Sequence, residues 1–263
     1  MLSRYSICAA LLPLAACVSS PRITPVQAER AVAVEYRAAY APQSAERVET
    51  AKDTRPAALA ALPEHSEVSC EFVAIDARDL QAFAVEGGPF GCVVSHAEYE
   101  RVRAELTERG NSATISAPKL VLSDGGRGDI AMTNEASFVR AFEVMRAGNS
   151  LVADPEVAVA HEGVRFEARS TRAPDGGFAL ELALSSSKLV RPFAETRVRL
   201  GEVFTPFTLQ IPIAFDQRLA ANASLHTDEV LVLGGLFAGE PHRALIAFVR
   251  TRAVEPGETL AAR

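Results

Sequence analysis

Histidine, cysteine and paired acidic side chains are the groups from which this chain could build a reactive centre, and their spacing argues against one. The five histidines, His65, His96, His161, His226 and His242, lie far apart in the sequence. None stands in the HExxH pattern that places two imidazoles on one helix face for zinc. No serine sits in a GxSxG elbow, and no cysteine belongs to a CxxC or CxxH pair. The run Gly125-Gly126-Arg127-Gly128-Asp129 contains Arg-Gly-Asp, but its glycines suit a tight turn, where positive φ is required. No catalytic, cofactor-binding or metal-binding residue emerges, so the sequence predicts a protein that works without catalysis.

Cysteine chemistry enters through position instead. Arg4 begins a short basic segment, an apolar stretch runs from Tyr5 to Leu14, and Leu14-Ala15-Ala16-Cys17 closes it. A charged start, a short apolar core and small residues before a cut describe a secretory signal. The stretch is shorter than the roughly 20 residues of a bilayer-spanning helix. Leu-Ala-Ala-Cys at this depth resembles a bacterial lipobox, which implies cleavage before Cys17 and acylation (palmitate among the chains) of that residue. Val18 follows; in enterobacterial lipoproteins an aspartate there favours the inner membrane, so the resemblance implies the outer membrane, with the chain facing the periplasm. Cys8 leaves with residues 1–16. Cys70 and Cys92 then remain in an oxidising compartment, either as one disulfide, the simplest reading, or as two buried free thiols.

The composition fits an exported globular chain. Of 263 residues 48% are hydrophobic, the net charge is −6, and tryptophan is absent. No basic cluster suggests nucleic acid, and no later apolar segment reaches the length of a membrane helix. Residues 17–63 read as a lipidated tether, partly helical or disordered. Thr24-Pro25 is a plausible helix start, Val26 to Tyr40 has good helix propensity, and Pro42 to Pro63 is rich in Ala, Glu and Pro.

Residues 64–254 read as the ordered domain and 255–263 as a tail. Val68, Cys70 and Phe72 share one face of a strand. A Gly-Gly-Pro-Phe-Gly loop follows at Gly87 to Gly91. His96 to Arg109 forms a helix with Ser95 as N-cap and Glu98 three residues on; Tyr99, Val102 and Leu106 share its apolar face, and Gly110 ends it. Beyond it the chain turns to strands. Ala113 to Ser123, the turn at Asp124-Gly125-Gly126, and Gly128 to Thr133 read as strand, turn, strand. Ser137 to Met145 is a further strand. Val164, Phe166 and Ala168 alternate with Arg165, Glu167 and Arg169. Pro174-Asp175-Gly176-Gly177 turns the chain into Phe178, Leu180, Leu182 and Leu184, again on one face. Val198 to Phe215, Ala223 to Phe237 and Arg243 to Val254 complete a mainly β, α+β fold with one or two helices and a largely antiparallel sheet. No internal repeat is present.

Several of these segments, taken in order, resemble the core domain of the secretins, the ring channels of type II and type III secretion and of type IV pili. They are ISAPKLVLSDGGRGDIAM (Ile115 to Met132), GVRFEARSTRAPDGGFALELALSSSKL (Gly163 to Leu189), IPIAFDQRLAANASLHTDEVLVLGGL (Ile211 to Leu236) and RALIAFVRTRAV (Arg243 to Val254). The resemblance covers about Ser66 to Val254, with Thr251-Arg252 where the family usually has Thr-Pro and with a short segment between Met132 and Gly163, as in a truncated core. It implies a lipid-anchored subunit of an outer-membrane secretion system, such as type II secretion, or of a pilus system. Such a subunit pairs sheets with further copies into a conduit or its accessory. Gly234 and Gly235 then mark either a subunit contact or a local bulge. The alternative is a monomeric envelope lipoprotein that keeps the sheet and binds a protein partner.

Overall fold

Alternating apolar residues dictate strands with one buried face, and two such faces close on each other here. The structure is a computed structural model and describes residues 23–42, 65–83, 89–147, 150–199, 206–238 and 242–254. Its strands are β1 (Arg30–Val32), β2 (Val34–Pro42), β3 (His65–Asp76), β4 (Phe90–Ser95), β5 (Ala113–Ser116), β6 (Lys119–Ser123) and β7 (Arg127–Ala147). There follow β8 (Ser150–Arg172), β9 (Phe178–Leu189), β10 (Ala194–Val198), β11 (Phe207–Ile211), β12 (Ile213–Leu225), β13 (Glu229–Phe237) and β14 (Arg243–Val254). Among the described residues a single α-helix, α1 (His96–Glu108), joins β4 to β5, and they are mostly antiparallel β with that one helix.

The larger sheet has the order β1-β4-β13-β14-β3-β5, with β6 also on β3; the second has the order β2-β12-β9-β8-β7; β10 and β11 form a separate hairpin. Every pairing within them is antiparallel. One core lies between the sheets. Val68, Cys70, Phe72, Leu231 and Leu233 of the larger sheet meet Phe166, Leu180, Leu184, Leu219 and Leu225 of the second. The opposite face of the larger sheet, with Val73, Ile75, Val230 and Val232, is covered by Tyr99, Val102 and Leu106 of α1. This explains why β13 is apolar on both faces: it is buried on both.

The helix forms as its sequence directs. Ser95 Oγ accepts the Glu98 N–H at 3.2 Å, and Gly110 closes the end with φ 65°. The Glu98 carboxylate reaches outward, accepting the Gln27 N–H at 2.7 Å, while Glu105 accepts the Thr24 N–H at 2.9 Å. Residues 24–27 are thereby strapped across the helix, and Ile23 is buried against it. This corrects two expectations for the N-terminal segment. Val26 to Tyr40 is not a helix but leads into β1 and β2, because pairing with β4 and β12 overrides local propensity. Nor is it a free tether, since it adds one strand to each sheet.

The turn at Asp124-Gly125-Gly126 is present, with Gly125 at φ 70° and the Gly126 N–H on Ser123 O at 2.7 Å. The strands it joins do not pair with each other, however: β6 lies on β3 in one sheet and β7 on β8 in the other. It is a crossover between layers rather than a hairpin. The Pro174 to Gly177 turn does make a hairpin, joining β8 to β9. The expected signal, Cys17, residues 43–63 of the tether, Gly87 and Gly88 of the Gly87 to Gly91 loop and the C-terminal tail lie outside the described residues.

Candidate functional site

Cys70 and Cys92 are both free and buried, which overturns the disulfide expected between them. They lie on β3 and β4, with β14 and β13 between. Three strand spacings separate them, about 14 Å, against a limit of about 7 Å between bridged Cα atoms. They also face opposite cores, Cys70 toward the second sheet and Cys92 toward α1. Burial drives the Cys70 thiol well up and pushes Cys92 up to about 11, which keeps both protonated and unreactive.

Gly234 and Gly235 serve the interior of the chain. Gly234 pairs directly with Phe90 across β13 and β4, and an added Cβ would stand 2.5 Å from Phe90 Cζ. Gly235 has φ 99° and falls where the β13–β14 register shifts between Gly234 and Leu236. That shift has the form of a β-bulge, two residues of β13 opposing one of β14. Gly234→Val is expected to cost about 1–3 kcal/mol through overpacking and to be partly rescued by Phe90→Ala in the same chain. Urea unfolding of the two single variants and the double variant checks this; an unchanged midpoint in Gly234→Val would show that the ring does not lie over the glycine.

The surfaces left for interaction are strand edges, an outer sheet face and a projecting hairpin. In the second sheet β2 and β7 are the outer strands. Strand β8 pairs with β9 only from Gly163 onward, yet β7 and β8 stay paired from Asn134↔Glu162 out to Ala147↔Ser150. This arm leaves the sheet by about 45 Å, at roughly 3.4 Å per residue. Pro155 is tolerated in β8 because it lies in the arm, where that strand has a free side. Paired residues share a face, and the two faces of the arm differ. One carries Ser137 and Val159, Val139 and Val157, Phe142 and Pro155, Val144 and Ala153; the other carries Ala136 and Ala160, Phe138 and Ala158, Ala141 and Glu156, Glu143 and Asp154, then Met145 and Val152, with Arg140 at the register shift ion-paired to Glu156. Val144, Met145, Val152 and Val157 are exposed. The β10–β11 hairpin leans on the arm: Phe207 lies 4.9 Å from Phe142 between ring centroids, and Gln210 accepts the Val139 N–H at 3.1 Å.

The outer face of the second sheet is charged and internally paired. Glu167 lies 2.7 Å from Arg127, 3.4 Å from Arg165 and 3.8 Å from Arg218. Arg165 also reaches Asp129 at 2.9 Å, and Arg169 reaches Glu181 at 3.4 Å. Such exposed pairs add little stability each; their effect is a hydrophilic face. Among the described residues no group of His, Cys, Asp and Glu could hold a metal ion.

A stronger charge cluster ties the N-terminal segment to the sandwich. Arg30 makes two hydrogen bonds of 2.7 Å to Glu229, and the His226 N–H donates to the same carboxylate at 2.8 Å. Burial alone would raise Glu229; these hydrogen bonds outweigh it and hold the carboxyl at about 2, against an ordinary 4.5. A depressed folded value contributes stability that is complete above the unfolded value and is lost as pH falls through the folded one. Stability is therefore expected to fall between about pH 4.5 and pH 2, and Glu229→Gln to flatten that slope. Asp76, held at about 2 by Arg78, titrates in the same window and preserves part of it. Acid titration of thermal midpoints for both proteins checks this, and identical slopes would contradict it.

Fold and surfaces together define a class: a helix-backed two-sheet β-sandwich with an amphipathic arm. The chain matches no protein-family model, and no curated protein sequence matches it. Among solved structures it is similar to the Salmonella SPI-1 type III secretion injectisome secretin InvG, at 9% identity and TM-score 0.31, covering 76% of this chain and 67% of that one. The InvG secretin domain beta-barrel from the Salmonella SPI-1 injectisome is similar at 9% identity and TM-score 0.30, covering 76% and 65%. The V. cholerae type IV competence pilus secretin PilQ is similar at 9% identity and TM-score 0.27, covering 73% and 61%. These are distant likenesses, and no role, partner or site passes from those proteins to this chain through them.

Proposed function

We propose that this chain is a lipid-anchored, secretin-like subunit that pairs sheet edges with further copies, forming a wall or ring at the outer membrane. It acts as a conduit, or as an accessory to one, in a secretion or pilus system. Shape, strand pairing and charge carry the function, and no chemistry is required.

The observation that carries this reading is the β7–β8 arm. A membrane-crossing strand takes about 9–11 residues, and the hydrocarbon core is about 30 Å thick. The arm exceeds both, with an apolar row on one face and, on the other, charged residues set between apolar ones; alternation of this kind suits a wall between lipid and water. No helix among the described residues is long and apolar enough to cross a membrane. The sheets bury their own apolar faces, so it is the outer strands β2 and β7 and the arm that call for neighbours.

Light scattering on the lipidated protein in mild detergent tests the proposal. A homo-oligomer much larger than a dimer is expected. A monomer over a wide concentration range, with β7 amides protected from hydrogen exchange, would overturn it in favour of a monomeric lipoprotein that binds a protein partner.

A further inference from the structure

Strand directions in the second sheet set a constraint on assembly. Four antiparallel steps lead from β2 through β12, β9 and β8 to β7, so β2 and β7 run the same way. In a ring made by rotation, one edge of each copy meets the other edge of the next. With β2 in place, β2 would meet the neighbour's β7 in parallel. With β2 absent, β12 would meet it antiparallel, as at every other junction in the sheet and as in single-chain outer-membrane barrels. Antiparallel pairing is also slightly the more stable per residue.

Strand β2 is built lightly enough to leave. Glu35 through Tyr40 are exposed, and Tyr40 is 70% so. Among the side chains of β2, the Tyr36 hydroxyl donates to Gln217 at 3.1 Å, the Tyr40 ring lies against Phe215, and Val34 packs against the sandwich core. Its sequence, VEYRAAYAP, is poor in strand formers. The segment before it is held firmly. The Glu29 N–H bonds Val93 O at 2.8 Å, the Val26 N–H bonds Ala82 O at 2.8 Å, and Arg30 is paired with Glu229. A break at Val34 would free β2 while everything upstream stays docked.

We propose that β2 is a self-capping strand that covers the β12 edge in the single chain and yields it to the β7 edge of a second copy. This rests on the assembly reading above and adds to it a barrier that each chain carries against premature pairing. The cap keeps a freshly exported chain from presenting a bare 13-residue strand, the kind of edge that templates aggregation.

A cross-link tests it. Ala39 and Asp216 are direct partners across β2 and β12, and opposed antiparallel residues are close enough for a disulfide. Ala39→Cys with Asp216→Cys, in the full lipidated chain in detergent, is followed by light scattering when oxidised and when reduced. The oxidised form is expected to remain monomeric where the reduced form assembles. Ala39→Pro, which deprives β2 of an N–H that faces β12, is expected to lower the assembling concentration about tenfold, the worth of one hydrogen bond. Equal assembly of the oxidised and reduced forms would overturn the capping role and leave the assembly reading intact. Failure of every form to assemble, Ala39→Pro included, would overturn both.

Discussion

Truncating Phe166 to alanine is expected to remove about 3–5 kcal/mol of unfolding free energy, the range for a fully enclosed aromatic ring. Phe166 is 0% exposed. It lies on β8 between Ile130 of β7 and Leu184 of β9, and its ring fills the space between the two sheets with Phe72 and Val68 among the same cluster. Small domains hold about 5–15 kcal/mol in all, so this one change would bring the chain near its limit. Phe166→Leu should cost less, because it leaves a smaller cavity. Urea unfolding at neutral pH measures both. A loss under about 1 kcal/mol for the alanine variant would mean that the sheets do not close on each other as described.

The second large effect concerns location. Cys17→Ser is expected to block acylation, leaving the protein unprocessed or released from the membrane fraction. Each methylene buried in a bilayer contributes about 0.8 kcal/mol, and one chain alone holds only marginally, so removing the whole anchor takes away nearly all attachment that does not come from assembly. Fractionation after a carbonate wash, with mass spectrometry of the N-terminal peptide, decides the matter. Retention of the serine variant together with an unmodified wild-type peptide would overturn the anchor.

What the sequence revealed and what it hid divide along a physical line. Elements specified by their own residues were readable. The Ser95 cap, the Tyr99, Val102 and Leu106 face, the Pro174 to Gly177 turn and the alternating rows of β8 and β9 all stand as expected. Features that depend on distant partners were not. Val26 to Tyr40 favours a helix locally and becomes strand only through β4 and β12. Asp124-Gly125 specifies a turn but not that its strands part to different sheets. Two cysteines in one compartment suggest a bridge, yet nothing local tells that two strands intervene or that the thiols face opposite cores. The arm appeared as separate strands around Gly128 to Thr133 and Ser137 to Met145, because Asn134-Glu135 resembles a break; pairing with Glu162 and His161 carries the strand through. Arg30 and Glu229, 199 positions apart, gave no signal at all.

The strap of residues 24–27 across α1 sets how the molecule is held. From Cys17 to Ile23 the chain has six peptide links, roughly 20 Å at full stretch. Under the proposed anchor, the body is moored rather than leashed: its helix side stays within that distance of the bilayer and its orientation is shared by every copy on the leaflet. Encounters between copies then take place in two dimensions with a common polarity. Confinement of this kind raises the effective concentration of one edge for another without any new contact, and it reduces the search for a partner to rotation about a single axis.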